Sequence, residues 1–95
     1  MFVVIAGGGR TGAQLARYLL DEGHQVHLIE DRKEVLARIH KELPTEVIFS
    51  GNCMHPDVLE QVNIRDAHVF AATTTSDEIN LALCYFVKEK YHTAR

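Results

Sequence analysis

The sequence predicts an α/β protein: a parallel sheet covered by helices on both faces. Three observations predict it. Short, continuous apolar runs alternate along the chain with segments of helical apolar spacing. The connections between them are short throughout, so each helix serves as the crossover between two parallel strands. A glycine-rich run, Gly7-Gly8-Gly9-Arg10-Thr11-Gly12, joins the first strand to the first helix.

The elements follow in order. Phe2-Val3-Val4-Ile5-Ala6 is apolar without alternation, as a strand buried on both faces should be. Leu15, Ala16, Leu19 and Leu20 then recur at helical spacing, and Gly23 stops that helix. Val26-His27-Leu28-Ile29 is a second strand, ending at Glu30-Asp31. Val35, Leu36, Ile39 and Leu43 share one face of a second helix, with Asp31 and Glu34 at capping-box spacing and Pro44 closing it. Val47-Ile48-Phe49 is a third strand. Pro56 suits the first turn of a third helix, whose apolar side is Val58, Leu59 and Val62. His68-Val69-Phe70-Ala71-Ala72 is a fourth strand. Thr75 and Glu78 again have capping-box spacing, before a last helix that points Ile79, Ala82, Leu83 and Phe86 inward and frays near Tyr91. The expected architecture is thus a Rossmann-type doubly wound parallel sheet, strand order 3-2-1-4, with the ligand crevice where strands one and four meet.

Bulk properties bound the function. A chain of 95 residues is one domain by expectation, over residues 1–95. Its 46% hydrophobic and 24% charged residues are ordinary for a globular protein. A net charge of −3 and the lack of any basic run argue against a nucleic-acid partner. Cys53 and Cys84 lack disulfide or zinc spacing, and His24 and His27 flank a strand start rather than share a helix face. No apolar stretch approaches the roughly 20 residues of a membrane span, and no signal-peptide pattern follows Met1. The expected location is cytoplasmic.

The glycine loop has the context that a bare GxGxxG lacks: a strand before it, a helix after it and an acidic residue at the end of the next strand. Gly7 allows the tight turn, Gly9 lets a pyrophosphate approach the backbone, and Gly12 lets the helix pack close to the sheet. The helix N-terminus offers unpaired N–H groups to phosphate. Glu30 lies 18 residues after Gly12, the offset of a carboxylate that accepts hydrogen bonds from ribose hydroxyls. A carboxylate there repels a 2′-phosphate, which favours NAD or an adenine mononucleotide over NADP. Asp31 is read as a helix cap at the border of the same site.

Several further segments extend the pattern. The loop with Arg10 directly after Gly9 is followed by Gly51-Asn52-Cys53, His55-Pro56-Asp57-Val58-Leu59, Ile64-Arg65-Asp66-Ala67, Ala72-Thr73 and Asp77-Glu78-Ile79-Asn80-Leu81. In this order they resemble the TrkA-N group, also called RCK or KTN domains, which are cytosolic nucleotide-binding regulators of potassium channels and transporters. The resemblance covers essentially the whole chain. It implies that Arg10 and Thr11 contact phosphates and that Glu30 holds the adenosine ribose. It also implies that Asn52 and Cys53 border the adenine, that Thr73 and Thr74 line the far side of the crevice, and that Asp77 and Glu78 stand at its mouth. The implied ligand is NAD or NADH, with ATP, ADP or AMP as alternatives. The implied partner is an integral-membrane potassium channel or transporter subunit that holds the domain at the inner face of the cell membrane. One departure is Asn52, where the family usually has Asp; the amide keeps hydrogen-bonding capacity but loses a negative charge. The stretch from Thr73 to Ser76 is also less acidic than in the family.

No residues for enzymatic chemistry are evident. Tyr18, Tyr85 and Tyr91 are followed four residues later by Glu22, Glu89 and Arg95, so the Tyr-x-x-x-Lys pair of short-chain dehydrogenases is missing. GxSxG and GxxxxGK[ST] are also missing. The leading expectation is a regulatory domain and not an enzyme. A cofactor-binding fragment of an NAD-dependent oxidoreductase and an interaction module with a vestigial site remain open at this point. The sequence stops just after the last helix, where a doubly wound sheet commonly continues with another strand. The expectation is therefore either a domain cut short before that strand or an isolated amino-terminal domain, with an unpaired sheet edge in both cases. A homodimer, or a larger ring, is expected through the last helix and its Tyr85, Phe86 and Tyr91.

Overall fold

The computed structural model describes residues 1–92; Thr93, Ala94 and Arg95, the end of the expected domain, lie outside them. The elements are β1 (Phe2–Ala6), α1 (Arg10–Asp21), β2 (Gln25–Glu30), α2 (Lys33–Glu42), β3 (Ile48–Ser50), α3 (Pro56–Gln61), β4 (Val69–Ala72) and α4 (Asp77–Tyr91). The four strands pair in the order β3-β2-β1-β4, all parallel. This is the doubly wound, Rossmann-type sheet expected from the alternation of apolar runs and helices.

β1 shows why its run carries no alternation. Phe2, Val4 and Ala6 join the core under α3 and α4, while Val3 and Ile5 join the core under α1 and α2. Both faces of the strand are covered, so every position is apolar. β1 is paired on one side to β2, Val3 opposite Val26, and on the other to β4, Val3 opposite Val69.

Several boundaries differ from the sequence reading. β3 begins at Ile48, because Val47 is buried in a 3₁₀ turn over Thr45–Val47. His68 precedes β4, and its Nδ1 accepts from the Phe2 N–H at 2.9 Å. On α1 the buried residues are Gly12, Ala13 and Ala16, with Leu15, Leu19 and Leu20 only partly covered. Small side chains face the sheet there because the helix start lies against the glycine loop.

α4 differs most. Its buried residues are Leu83, Val87 and Tyr91, whereas Ile79 and Phe86 are each 37% exposed and Ala82 is exposed. The helix does not fray near Tyr91: that ring is buried, and His92 closes the helix in the left-handed conformation. Neither expected capping box forms. Arg32 holds the N-cap position of α2 without a side-chain cap bond, and Ser76 caps α4 by accepting from the Ile79 N–H at 3.2 Å.

Candidate functional site

A crevice of about 290 Å³ opens at the carboxyl ends of the strands. Each strand contributes its exit to the wall: Gly7 after β1, Glu30 at the end of β2, Gly51 after β3 and Thr74 after β4. This is the switch point of the sheet, where β1 has neighbours whose connections run to opposite sides.

The glycine loop forms its floor. Gly7 has φ +112°, and a side chain there would strike the Thr73 carbonyl. Gly12 is closed to any larger residue by contact with the Gly7 carbonyl and Thr73 Oγ1. The loop is pinned by the Gly7 N–H donating to Ile29 at 2.8 Å and by Thr73 Oγ1 donating to the Gly7 carbonyl at 2.8 Å. α1 starts at Arg10 with Gly9 as N-cap and no side-chain cap bond. The first N–H groups of a 12-residue helix are thereby left for an anion. Arg38 of α2 steadies the loop from outside, donating to the Gly8 carbonyl at 3.0 Å.

Glu30 is the buried charged residue of this end of the sheet, 4% exposed. Its Oε1 accepts from the Gly8 N–H at 2.7 Å and from Arg32 Nη2 at 3.1 Å. Its Oε2 accepts from the backbone N–H groups of Asp31 and Arg32 at 3.0 and 2.9 Å, and from Arg32 Nε at 3.0 Å. Burial alone raises a carboxyl pKa. The Arg32 side chain, with the N–H groups of Arg32 and Gly8, reverses that and lowers Glu30 to about 2. Glu30 is therefore a carboxylate at any neutral pH, bound to the glycine loop on one side and to Arg32 on the other.

The opposite wall comes from the β3 and β4 exits. Asn52 Oδ1 accepts from the Met54 N–H at 2.8 Å, which folds the loop after β3 back on itself. Cys53 is half-buried beside it, and burial, with the Asp31 carboxylate nearby, pushes its thiol pKa up. Thr74 is held by Asn80 of α4: its N–H and hydroxyl donate to Asn80 Oδ1 at 2.9 and 2.6 Å, and Asn80 Nδ2 donates to its carbonyl at 3.1 Å.

Of the residues singled out from the sequence, Gly7, Glu30, Asp31, Asn52, Cys53 and Thr74 line the crevice together. Gly8, Gly9, Arg10, Thr11 and Gly12 form the adjoining loop and helix start, with Arg10 and Thr11 exposed. Thr73 turns its hydroxyl onto the loop rather than into the crevice. Asp31 lines the wall but caps nothing. The sequence reading gave no place in the crevice to Arg32, Met54, Thr75 or Ile79, which also line it, and gave no site role to Asn80, which holds Thr74. Arg32 carried one available signal: a cation two residues after the ribose-type carboxylate. Among the described residues no cluster of His, Cys, Asp and Glu is placed to hold a metal, and no helix is long and apolar enough to cross a membrane.

Comparison with known proteins agrees with this fold. The family model described as TrkA-N domain matches residues 3–95. A Trk system potassium uptake protein TrkA homolog of Methanothermobacter thermautotrophicus is 46% identical over 94% of this chain and 41% of its own. One from Pyrococcus horikoshii is 40% identical over 93% of this chain and 38% of its own. The Trk system potassium uptake protein TrkA of Halomonas elongata is 37% identical over 83% of this chain and 17% of its own. The chain thus spans about two fifths or less of the length of these relatives. A solved structure, the Shewanella denitrificans Kef CTD in AMP bound form, superposes with a TM-score of 0.80 over 98% of this chain and 55% of that one. At 20% identity it shows the shared fold.

Proposed function

Since this chain belongs to the TrkA-N domain family, we propose that it is a regulatory nucleotide-binding domain, not an enzyme, that controls potassium transport or channel gating from the cytoplasmic side of the membrane. One observation carries the reading: the open N-terminus of α1 and the buried Glu30 carboxylate meet at one crevice, bridged by the Gly8 N–H bond to Glu30. A phosphate-binding helix start beside a fixed carboxylate matches the two ends of an adenosine nucleotide. The relatives' naming as potassium uptake components and the AMP named for the Kef structure support the same reading. The ligand is NAD or NADH, with ATP, ADP and AMP able to use the same adenosine subsite. Asn52 and Cys53 border the base, and Arg10, Thr11 and the loop N–H groups take the phosphates. Ligands that favour different arrangements of the crevice walls shift the domain's conformation by their difference in affinity. An integral-membrane transporter subunit reads that shift.

Thermal unfolding with each of these nucleotides tests the proposal. A ligand at one hundred times its Kd stabilises the folded chain by about 2.7 kcal/mol. At least one of the five should raise the midpoint in a concentration-dependent way. If none does, the nucleotide reading fails.

A further inference from the structure

The strand order lays out the parts of a bound nucleotide along the crevice. The glycine loop leaves β1, Glu30 ends β2, and the loop from Gly51 to Met54 leaves β3, the strand beyond β2. With phosphate at the β1 exit and ribose at the β2 exit, the base comes to the β3 exit. There Asn52 folds its own loop, its Oδ1 accepting from the Met54 N–H at 2.8 Å. The two Nδ2–H donors are the part of the amide left for a base. Cys53 stands beside it, half-buried. Burial, with the Asp31 carboxylate nearby, pushes its thiol pKa up, so it stays an S–H, a weak donor. Asp31 itself also lines the crevice but is exposed, so water competes for it and a base amine gains little there.

An asparagine that selects adenine uses both ends of its amide, the oxygen accepting from N6 and the nitrogen donating to N7. Here the bond to the Met54 N–H holds Oδ1 against its own loop, and the two ends cannot both meet one base edge. A 6-oxopurine presents acceptors at both O6 and N7, which suits a wall of donors. Adenine keeps its ring nitrogens as acceptors and so still fits. We propose that Asn52 sets the base specificity of the crevice, so that it takes 6-oxopurine nucleotides alongside adenine nucleotides and does not demand a 6-amino group. The inference rests on the nucleotide reading above and leaves its phosphate and ribose contacts unchanged. An aspartate at this position would restore the demand. One oxygen would keep the Met54 N–H, while the other would accept from the adenine amine and repel O6.

Calorimetric titration of the purified chain with 5′-AMP and inosine 5′-monophosphate tests this. The two ligands share phosphate, ribose and, at neutral pH, charge, so their ratio reports on the base alone. The wild type should bind the inosine nucleotide no more than about fivefold more weakly than 5′-AMP, the low end of what a bidentate base contact discriminates. Asn52→Asp keeps the turn, which either residue forms, and its melting curve checks that it is folded. In that variant the ratio of affinities should move by about fivefold or more towards 5′-AMP. A larger wild-type preference for 5′-AMP overturns the inference and leaves the nucleotide reading standing. A smaller movement of the ratio in Asn52→Asp also overturns it. Failure of both monophosphates to bind the wild type overturns it as well, and the thermal series with the five nucleotides then decides the nucleotide reading by itself.

Discussion

At the scale of single residues, Glu30 links stability to pH. Its folded-state pKa of about 2 lies below the ordinary 4.5. The unfolded chain therefore binds a proton at Glu30 before the folded chain does. The stabilisation is fully present above about pH 4.5 and is lost as pH falls towards 2, with a size on the order of 3 kcal/mol. Urea midpoints measured from pH 6 down to pH 2 should fall across that window, and Glu30→Gln should flatten this part of the profile. An unchanged profile in the variant would show that other carboxylates carry the acid sensitivity. The same residue marks how far sequence reading reached into the site. The carboxylate was legible because it is identified by an offset from the glycines, and offsets survive folding. Its Arg32 partner was not. That pairing depends on how β2 ends: the chain turns so that the backbone and side chain of Arg32 both point back at Glu30. No spacing rule contains that turn. Asn52 shows the same limit, since its oxygen is committed to the Met54 N–H by a local turn.

At the scale of elements, strands and helix existence were legible and helix ends were not. Buried parallel strands read as unbroken apolar runs, and the crossover rule fixes their order once the alternation with helices is seen. Caps depend on which of several adjacent polar residues reaches the helix start. Around α4 the candidates are Thr73 to Ser76. The Thr74 hydroxyl is held by Asn80 and Ser76, Thr73 is turned to the glycine loop, and Ser76 is left in place to cap. Ser76→Ala should then cost about 1 kcal/mol in chemical denaturation, whereas Thr75→Ala should be close to neutral. The reverse ranking would restore the capping box read from the sequence. The inward face of α4 was misjudged for a related reason. Apolar residues lie all round this helix, from Ile79 and Leu81 through Tyr85, Phe86 and Val87. Periodicity then has no single answer, and packing decides for Leu83, Val87 and Tyr91 at four-residue steps.

At the scale of the whole molecule, α4 joins the crevice to the surface. Its first turn supplies Ile79 to the crevice wall and Asn80 to the Thr74 loop. Its outer face carries Leu81, 75% exposed, and Tyr85, 69% exposed, four residues apart and therefore adjacent on the helix. Tyr91, expected to join that outer face, is buried and leaves it smaller. Beside α4 lies β4, the end strand of the sheet. A two-fold pairing of chains through Leu81 and Tyr85 would cover this apolar patch. Sedimentation velocity should show association that rises with concentration, and Leu81→Glu with Tyr85→Glu should abolish it without loss of helix content. Because the same helix holds Thr74, a nucleotide that reordered the crevice wall would also act on such a pairing. By linkage, the factor by which ligand changes the dimer constant equals the factor by which dimerisation changes ligand affinity. Titrating dimer formation with and without saturating nucleotide measures the first, and ligand binding at low and high protein concentration measures the second. Association that ignores nucleotide would place the proposed regulatory output somewhere other than α4.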